Sequence, residues 1–136
     1  MANTISITKL LDGARFAVFH IYIKSDGATG DLADHVLIDP AADLNPLLNA
    51  VPSLTIDEIW YDLSGFDARL EFDYLVDDTA VWTLSGGNGV HMDFTPFGGL
   101  KDRSQVLDGT GKLMITTNGL LSAGDNGTII IKVRKD

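Results

Sequence analysis

Between clusters of Gly and Asp, the chain carries short runs rich in Ile, Val, Thr, Phe, Tyr and Trp in which apolar side chains recur at every second residue. Successive side chains of a strand point to opposite faces, so this two-residue period specifies strands with a buried face and does not suit a helix. The carboxylates agree. Of the 19 acidic residues only Glu58 and Glu71 are Glu, and Asp competes for backbone hydrogen bonds in ways that favour turns and caps over helix interiors.

The runs can be placed in order. Residues 5–11 and 14–24 flank Asp12-Gly13, a dipeptide suited to the two-residue type I′ turn of a hairpin. In the second run Phe16, Val18, His20 and Tyr22 share one face and Ala17, Phe19, Ile21 and Ile23 the other. Both faces are largely apolar, which suits a sandwich centre or an interface. A Gly- and Asp-rich loop (25–31) leads to a strand at 35–38 that ends at Asp39-Pro40. Pro40, Pro46 and Pro52 leave room in 41–51 for one short helical turn. Leu54, Ile56 and Trp60 fall on one face of a strand at 54–62, with Ile59 and Tyr61 on the other. The run 67–76 sets Ala68, Leu70, Phe72, Tyr74 and Val76 against Arg69, Glu71 and Asp73, so one of its faces is expected to be wet. After the Asp77-Asp78 turn, Ala80, Trp82 and Leu84 of 79–84 point inward, a strand at 90–95 follows, and 96–103 is irregular. The runs 112–117 and 128–134 read as an antiparallel pair across the loop 118–127. About eight to ten short strands with turn signals between them predict an all-β, antiparallel β-sandwich, jelly-roll-like, in a single domain over residues 1–136.

Composition excludes several functions. The chain has no cysteine, which removes disulfide scaffolds, thiol nucleophiles and cysteine zinc sites. A formal charge of −9 and a pI near 4.5 offer no broad basic field for a phosphate backbone, so no nucleic acid partner is expected. The longest strongly apolar run, 16–23, is less than half of the ~20 residues that a membrane-crossing helix needs. The first ten residues carry neither a basic cluster nor a cleavage pattern, so synthesis in the cytoplasm is the expectation.

Motifs for chemistry fail on spacing. His20, His35 and His91 lie on three separate strands with no HExxH pair, so no metal site is expected, and His20 reads as a buried imidazole. Asp77-Asp78 and Asp125-Asn126-Gly127 hold oxygen donors but match no calcium-loop pattern and read as turns. Asp57 and Glu58 are strand neighbours that point to opposite faces, which bars them from sharing a glycosidic site. A P-loop ending at Lys112 needs Gly where Val106 stands, and a serine elbow at Ser122 needs Gly where Leu120 stands. Asn126-Gly127-Thr128 matches a glycosylation sequon but sits at a turn. No catalytic residue and no cofactor are expected, and the chain is read as not an enzyme. Trp60, Trp82, Tyr61, Phe94 and Phe97 offer material for an aromatic sugar platform, with Trp60 and Trp82 assigned to the core by their phase. Phe97, between Pro96 and Gly98-Gly99, is placed to bury itself in a partner.

The Asp12-Gly13 hairpin, the stretch from Gly27-Ala28-Thr29-Gly30-Asp31 to His35-Val36-Leu37-Ile38-Asp39-Pro40, the segment Asp93-Phe94-Thr95-Pro96-Phe97-Gly98-Gly99 and the closing Lys132-Val133-Arg134-Lys135 span the chain. Together they resemble small β-sandwich structural proteins of tailed bacteriophages, above all those attached outside the head as capsid decoration or cement proteins. Such families have no catalytic signature, so the resemblance implies a fold and a role and names no site residue. It implies the virion as location after synthesis in the host cytoplasm, the major capsid protein as partner, and a homo-oligomer, with a trimer favoured. Strands apolar on both faces fit association, while the charge of −9 requires contacts that are apolar, screened or bridged by cations. Phe97, Leu100 and Phe94 are the expected partner contacts, together with residues near the termini. A carbohydrate-binding β-sandwich using Trp, Tyr and Asp, with or without Ca²⁺, is the alternative from another class. A head-tail adaptor or tail protein is the alternative within the virion.

Overall fold

The computed structural model describes residues 3–40, 54–74, 79–86, 89–101 and 109–135. Ten strands run through them: β1 (Thr4–Asp12), β2 (Phe16–Lys24), β3 (His35–Ile38), β4 (Leu54–Ser64), β5 (Asp67–Tyr74), β6 (Thr79–Leu84), β7 (Val90–Asp93), β8 (Leu100–Lys101), β9 (Gly109–Asn118) and β10 (Asn126–Lys135). One sheet has the order β1-β2-β10-β4-β7, with β8 on the edge of β4, and the other has the order β3-β9-β5-β6. Every pairing is antiparallel.

The topology follows one rule. Strands β2, β3, β4 and β5 lead out and β6, β7, β9 and β10 lead back, and β2 pairs with β10, β3 with β9, β4 with β7 and β5 with β6. Alternate pairs lie in opposite sheets. A long hairpin rolled up in this way is a jelly roll, so the expected antiparallel β-sandwich is the fold.

The inner faces close the core. From the first sheet come Phe19, Ile21 and Ile23 of β2, Ile129, Ile131 and Val133 of β10, and five residues of β4. Leu70, Phe72, Leu113 and Ile115 face them from the second sheet. Each such side chain contributes about 1.5–3 kcal/mol when fully buried, and Ile, Leu and Phe make up most of the close-packed layer between the sheets.

Four local expectations need correction. The first hairpin forms, but its loop spans residues 13–15 and neither Asp12 nor Gly13 has a positive φ, so the turn is not type I′. Gly13 N–H donates to the Phe16 carbonyl (2.8 Å) within the loop, and from outside it Lys135 Nζ donates to the Asp12 carboxylate and to the Gly13 carbonyl (2.7 Å). Strands β9 and β10 are not a pair. Each finds its neighbours in a different sheet, and the connection between them crosses the sandwich.

The third correction concerns Trp60. Glu58 pairs with Lys132 and Ile56 with Val133, so Asp57 is an extra residue, a β-bulge that inverts the alternation of β4. Leu54 and Ile56 are buried before the bulge, and Ile59, Tyr61 and Leu63 after it, so Trp60 stands on the outer face. Lastly, Glu71 is buried despite its outward phase, because Arg69 (3.1 Å) and the Thr116 hydroxyl (2.6 Å) hold its carboxylate. The short helical turn expected in 41–51 and the Asp77-Asp78 turn lie outside the described residues.

Candidate functional site

The segment after β7 is built to present Phe97. The Asp93 carboxylate accepts bonds from the Thr95 N–H (2.9 Å) and the Thr95 hydroxyl (2.6 Å), which starts a single 3-10 turn, Thr95–Phe97, with Pro96 in its first turn. These bonds, that from the hydroxyl foremost, hold the Asp93 carboxyl below the usual carboxylate range. Gly98 and Gly99 follow with φ of 88° and 87°, a left-handed pair of residues that reverses the chain. Gly98 N–H donates to the Thr95 carbonyl (3.1 Å) and Gly99 N–H to the Phe94 carbonyl (2.9 Å). Little of this backbone is left to wander.

The loop is also clamped to β4 and β10. Phe94 N–H donates to the carbonyl of the bulged Asp57 (2.8 Å), and Arg134 Nη2 donates to the Gly98 carbonyl (2.8 Å). A Cβ at position 99 would lie 2.5 Å from Thr55 Cγ2 and 3.0 Å from the Ile56 carbonyl, so only Gly lets the loop lie this close to β4. Beneath it, Asp57 Oδ1 is buried without a hydrogen-bond partner, with Arg134 Nη1 at 3.9 Å. That spacing gives the guanidinium an electrostatic reason to stay over the bulge, where its other nitrogen holds the loop.

Of the three expected contacts, Phe97 is 66% exposed and Leu100 is partly buried against the edge of the core. Phe94 is corrected: it is fully buried and therefore not at the surface. Its ring meets Trp82 edge-on (centroids 5.0 Å apart) and Phe97 edge-on (5.9 Å), so Phe94 is the floor on which the exposed ring stands. Trp82 packs against the core as expected.

A second feature escaped the sequence reading. On the outer face of the first sheet, Thr8, His20, Ile130, Trp60 and His91 form one cross-strand row. The Trp60 and His91 rings stack in parallel at 4.6 Å, and Glu58 Oε1 lies 3.7 Å from His91 Nε2. Beside the stack is an open hollow of about 350 Å³ lined by Trp60, His91, Asp62, Val90, Thr128 and Ile130, among others. A signal for it existed: the doublet Asp57-Glu58 breaks the alternation, and the apolar phase differs on its two sides. His20 is half-buried on this face, not the buried imidazole that its apolar strand suggests. His35 lies in the other sheet, and among the described residues no three His, Asp or Glu side chains are grouped to hold a metal ion.

The loops at the opposite end use Asp as a turn builder. Asp26 accepts bonds from the Thr29 hydroxyl and from the N–H groups of Thr29 (2.7 Å) and Ala28 (2.8 Å), which lower its pKa to about 2. For Asp31, desolvation pulls the pKa upward, but bonds from the Leu120 and Gly119 N–H groups and the Thr117 hydroxyl outweigh it and the pKa falls. Asp125 accepts bonds from the N–H groups of Leu121 and Ser122. These carboxylates are committed to the backbone, as the reading of Asp125-Asn126-Gly127 as a turn anticipated.

No family model matches the chain, and no curated protein matches it. Among solved structures, a cupin domain from Bordetella pertussis Tohama I is similar over 100% of this chain and 97% of that one, with 10% sequence identity and a TM-score of 0.34. A likeness of that degree carries no argument about function.

Proposed function

We propose that this chain is a non-enzymatic structural protein of a tailed-phage particle, a decoration protein that docks on the outside of the head and stiffens it by adhesion. The single observation that supports the reading best is Phe97, a large apolar side chain exposed on a loop held by backbone bonds, by Arg134 and by a close approach to β4. A pre-ordered aromatic loses little entropy on docking, and such anchors dominate interfaces. Repetition over a shell multiplies modest contacts into a strong one. The major capsid protein is the partner in this reading, with Leu100 at the rim of the contact.

Particles purified with and without the protein test the role. Those without it are expected to release their contents at lower temperature and after milder osmotic shock, and equal resistance would refute cementing. Phe97→Ala is expected to leave the melting temperature of the free protein unchanged and to weaken its binding to bare particles by roughly 30-fold or more, the loss of one anchor residue.

A second reading has its own observation, the hollow beside Trp60 with the Asp62 carboxylate at its margin, which suits the apolar face and hydroxyls of a sugar. A glycan array probed with and without EDTA distinguishes the two. Glycan binding abolished by Trp60→Ala and spared by Phe97→Ala favours the sugar-binding module.

A further inference from the structure

Strand β1 lies outside the rolled hairpin. It is the terminal strand of its sheet, pairs with β2 along one edge, and among the described residues no strand pairs with its other edge. Of its nine residues only Ile5 and Asp12 are partly buried, while Ile7, Leu10 and Leu11 are 38%, 57% and 53% exposed. An edge of this length with apolar side chains invites another strand, and stable proteins blunt or cover such edges. We propose that this edge is a self-association site on which β1 of a second copy pairs antiparallel about a two-fold axis, joining two sheets into one.

Three observations select a second copy as the occupant. The first is length: β1 has nine residues, while β3, β6 and β7, the strands at the other sheet ends, have four, six and four, so the edge that matches β1 is another β1. A threefold arrangement must join β1 to one of the shorter edges. The second is charge. The chain carries −9, but β1 holds one Lys and one Asp, and these form an ion pair at 3.0 Å, so its edge is neutral where most of the surface repels a copy.

The third is the pattern of side chains. Leu10 is an extra residue, a bulge that confines regular pairing to the segment before it. A two-fold axis at Ser6 sets Ile5 of one copy opposite Ile7 of the other, and Thr4 opposite Thr8. These are apolar and hydroxyl pairs of the kind that stabilise antiparallel ladders, with no like charges opposed. The same axis makes the contact self-complementary and closes it at two copies.

The test uses the full chain. Sedimentation equilibrium is expected to give twice the 14.6 kDa mass of one chain. Ser6→Cys, placed in a chain with no other cysteine, is expected to form a disulfide-linked dimer under mild oxidation. Ile7→Glu, at an exposed position, should leave the circular dichroism spectrum unchanged and raise the dissociation constant on the order of a hundredfold, since symmetry puts two unpaired carboxylates into each dimer contact. A monomer or trimer for the native chain overturns the proposal, as does a dimer indifferent to Ile7→Glu with Ser6→Cys uncrosslinked. Should Ile7→Glu unfold, the crosslink decides alone. None of these readouts depends on a phage particle, so the proposal stands or falls apart from the proposed function.

Discussion

At the scale of single residues, tolerance is set by what already occupies the space around each Cα. Gly127 lies in β10 where an added Cβ would come within 2.5 Å of Leu63 Cδ2 and 3.1 Å of Phe66 Cζ, both in the core. Gly127→Ala is therefore expected to cost about 1–3 kcal/mol by overpacking, read as a lower midpoint in urea denaturation. A smaller cost of Gly127→Ala in a Leu63→Ala background than in the native chain is the check that sterics are the cause. The glycine was visible as part of a turn signal, Asp125-Asn126-Gly127. Its burial was not, because Leu63 and Phe66 reach it from a distant part of the chain. Phe97 shows the opposite case: its exposure was readable, since Pro96 and the Gly98-Gly99 pair keep a strand or a longer helix from absorbing it. Phe94, three residues earlier, is buried by β4 and Trp82, neighbours that no local pattern names.

Elements were legible where their pattern is local. Strand β2 alternates without a break from Phe16 to Lys24, and β3 was placed at its observed bounds, because each strand's own residues mark its faces and its ends. What joins elements was less legible. The turn between β1 and β2 was expected to form from Asp12-Gly13 alone, yet Lys135, at the far end of the chain, fastens it. The Asp12 and Lys135 side chains are both nearly buried, and Lys9 is the other cation at Asp12. Lys135→Met is expected to destabilise by up to about 3 kcal/mol, below the full cost of stranding a buried charge because Lys9 remains. Adding Asp12→Asn should recover part of that loss in thermal melts. Additive costs in the double variant would show that the pair is not coupled.

For the molecule as a whole, the arrangement of charge predicts its response to acid. Hydrogen bonds hold the carboxyls of Asp26, Asp31 and Asp93 below the ordinary range, that of Asp26 at about 2. A carboxyl whose pKa is lower in the folded chain than in the unfolded one stabilises the fold above the unfolded value, and this contribution disappears as pH falls through the folded one. Melting temperature is accordingly expected to drop between about pH 4 and pH 2, and Asp26→Asn to lessen the drop. Parallel curves for native and variant proteins would contradict the assignment. By itself the amino-acid order determined that the described chain is mostly β, where most of its strands lie and that two faces close on each other, because alternation and turn chemistry act between neighbours in the chain. It missed β8 inside the stretch 96–103 and the 3-10 turn at the end of the run 90–95. Tertiary structure alone decided that β9 and β10 part into separate sheets, that Asp57 bulges and turns Trp60 outward, and that β1 ends its sheet with no strand on its other edge among the described residues. Each of those outcomes depends on which distant strand supplies the hydrogen-bond partner, a choice made by the competition of whole sheets for the same core.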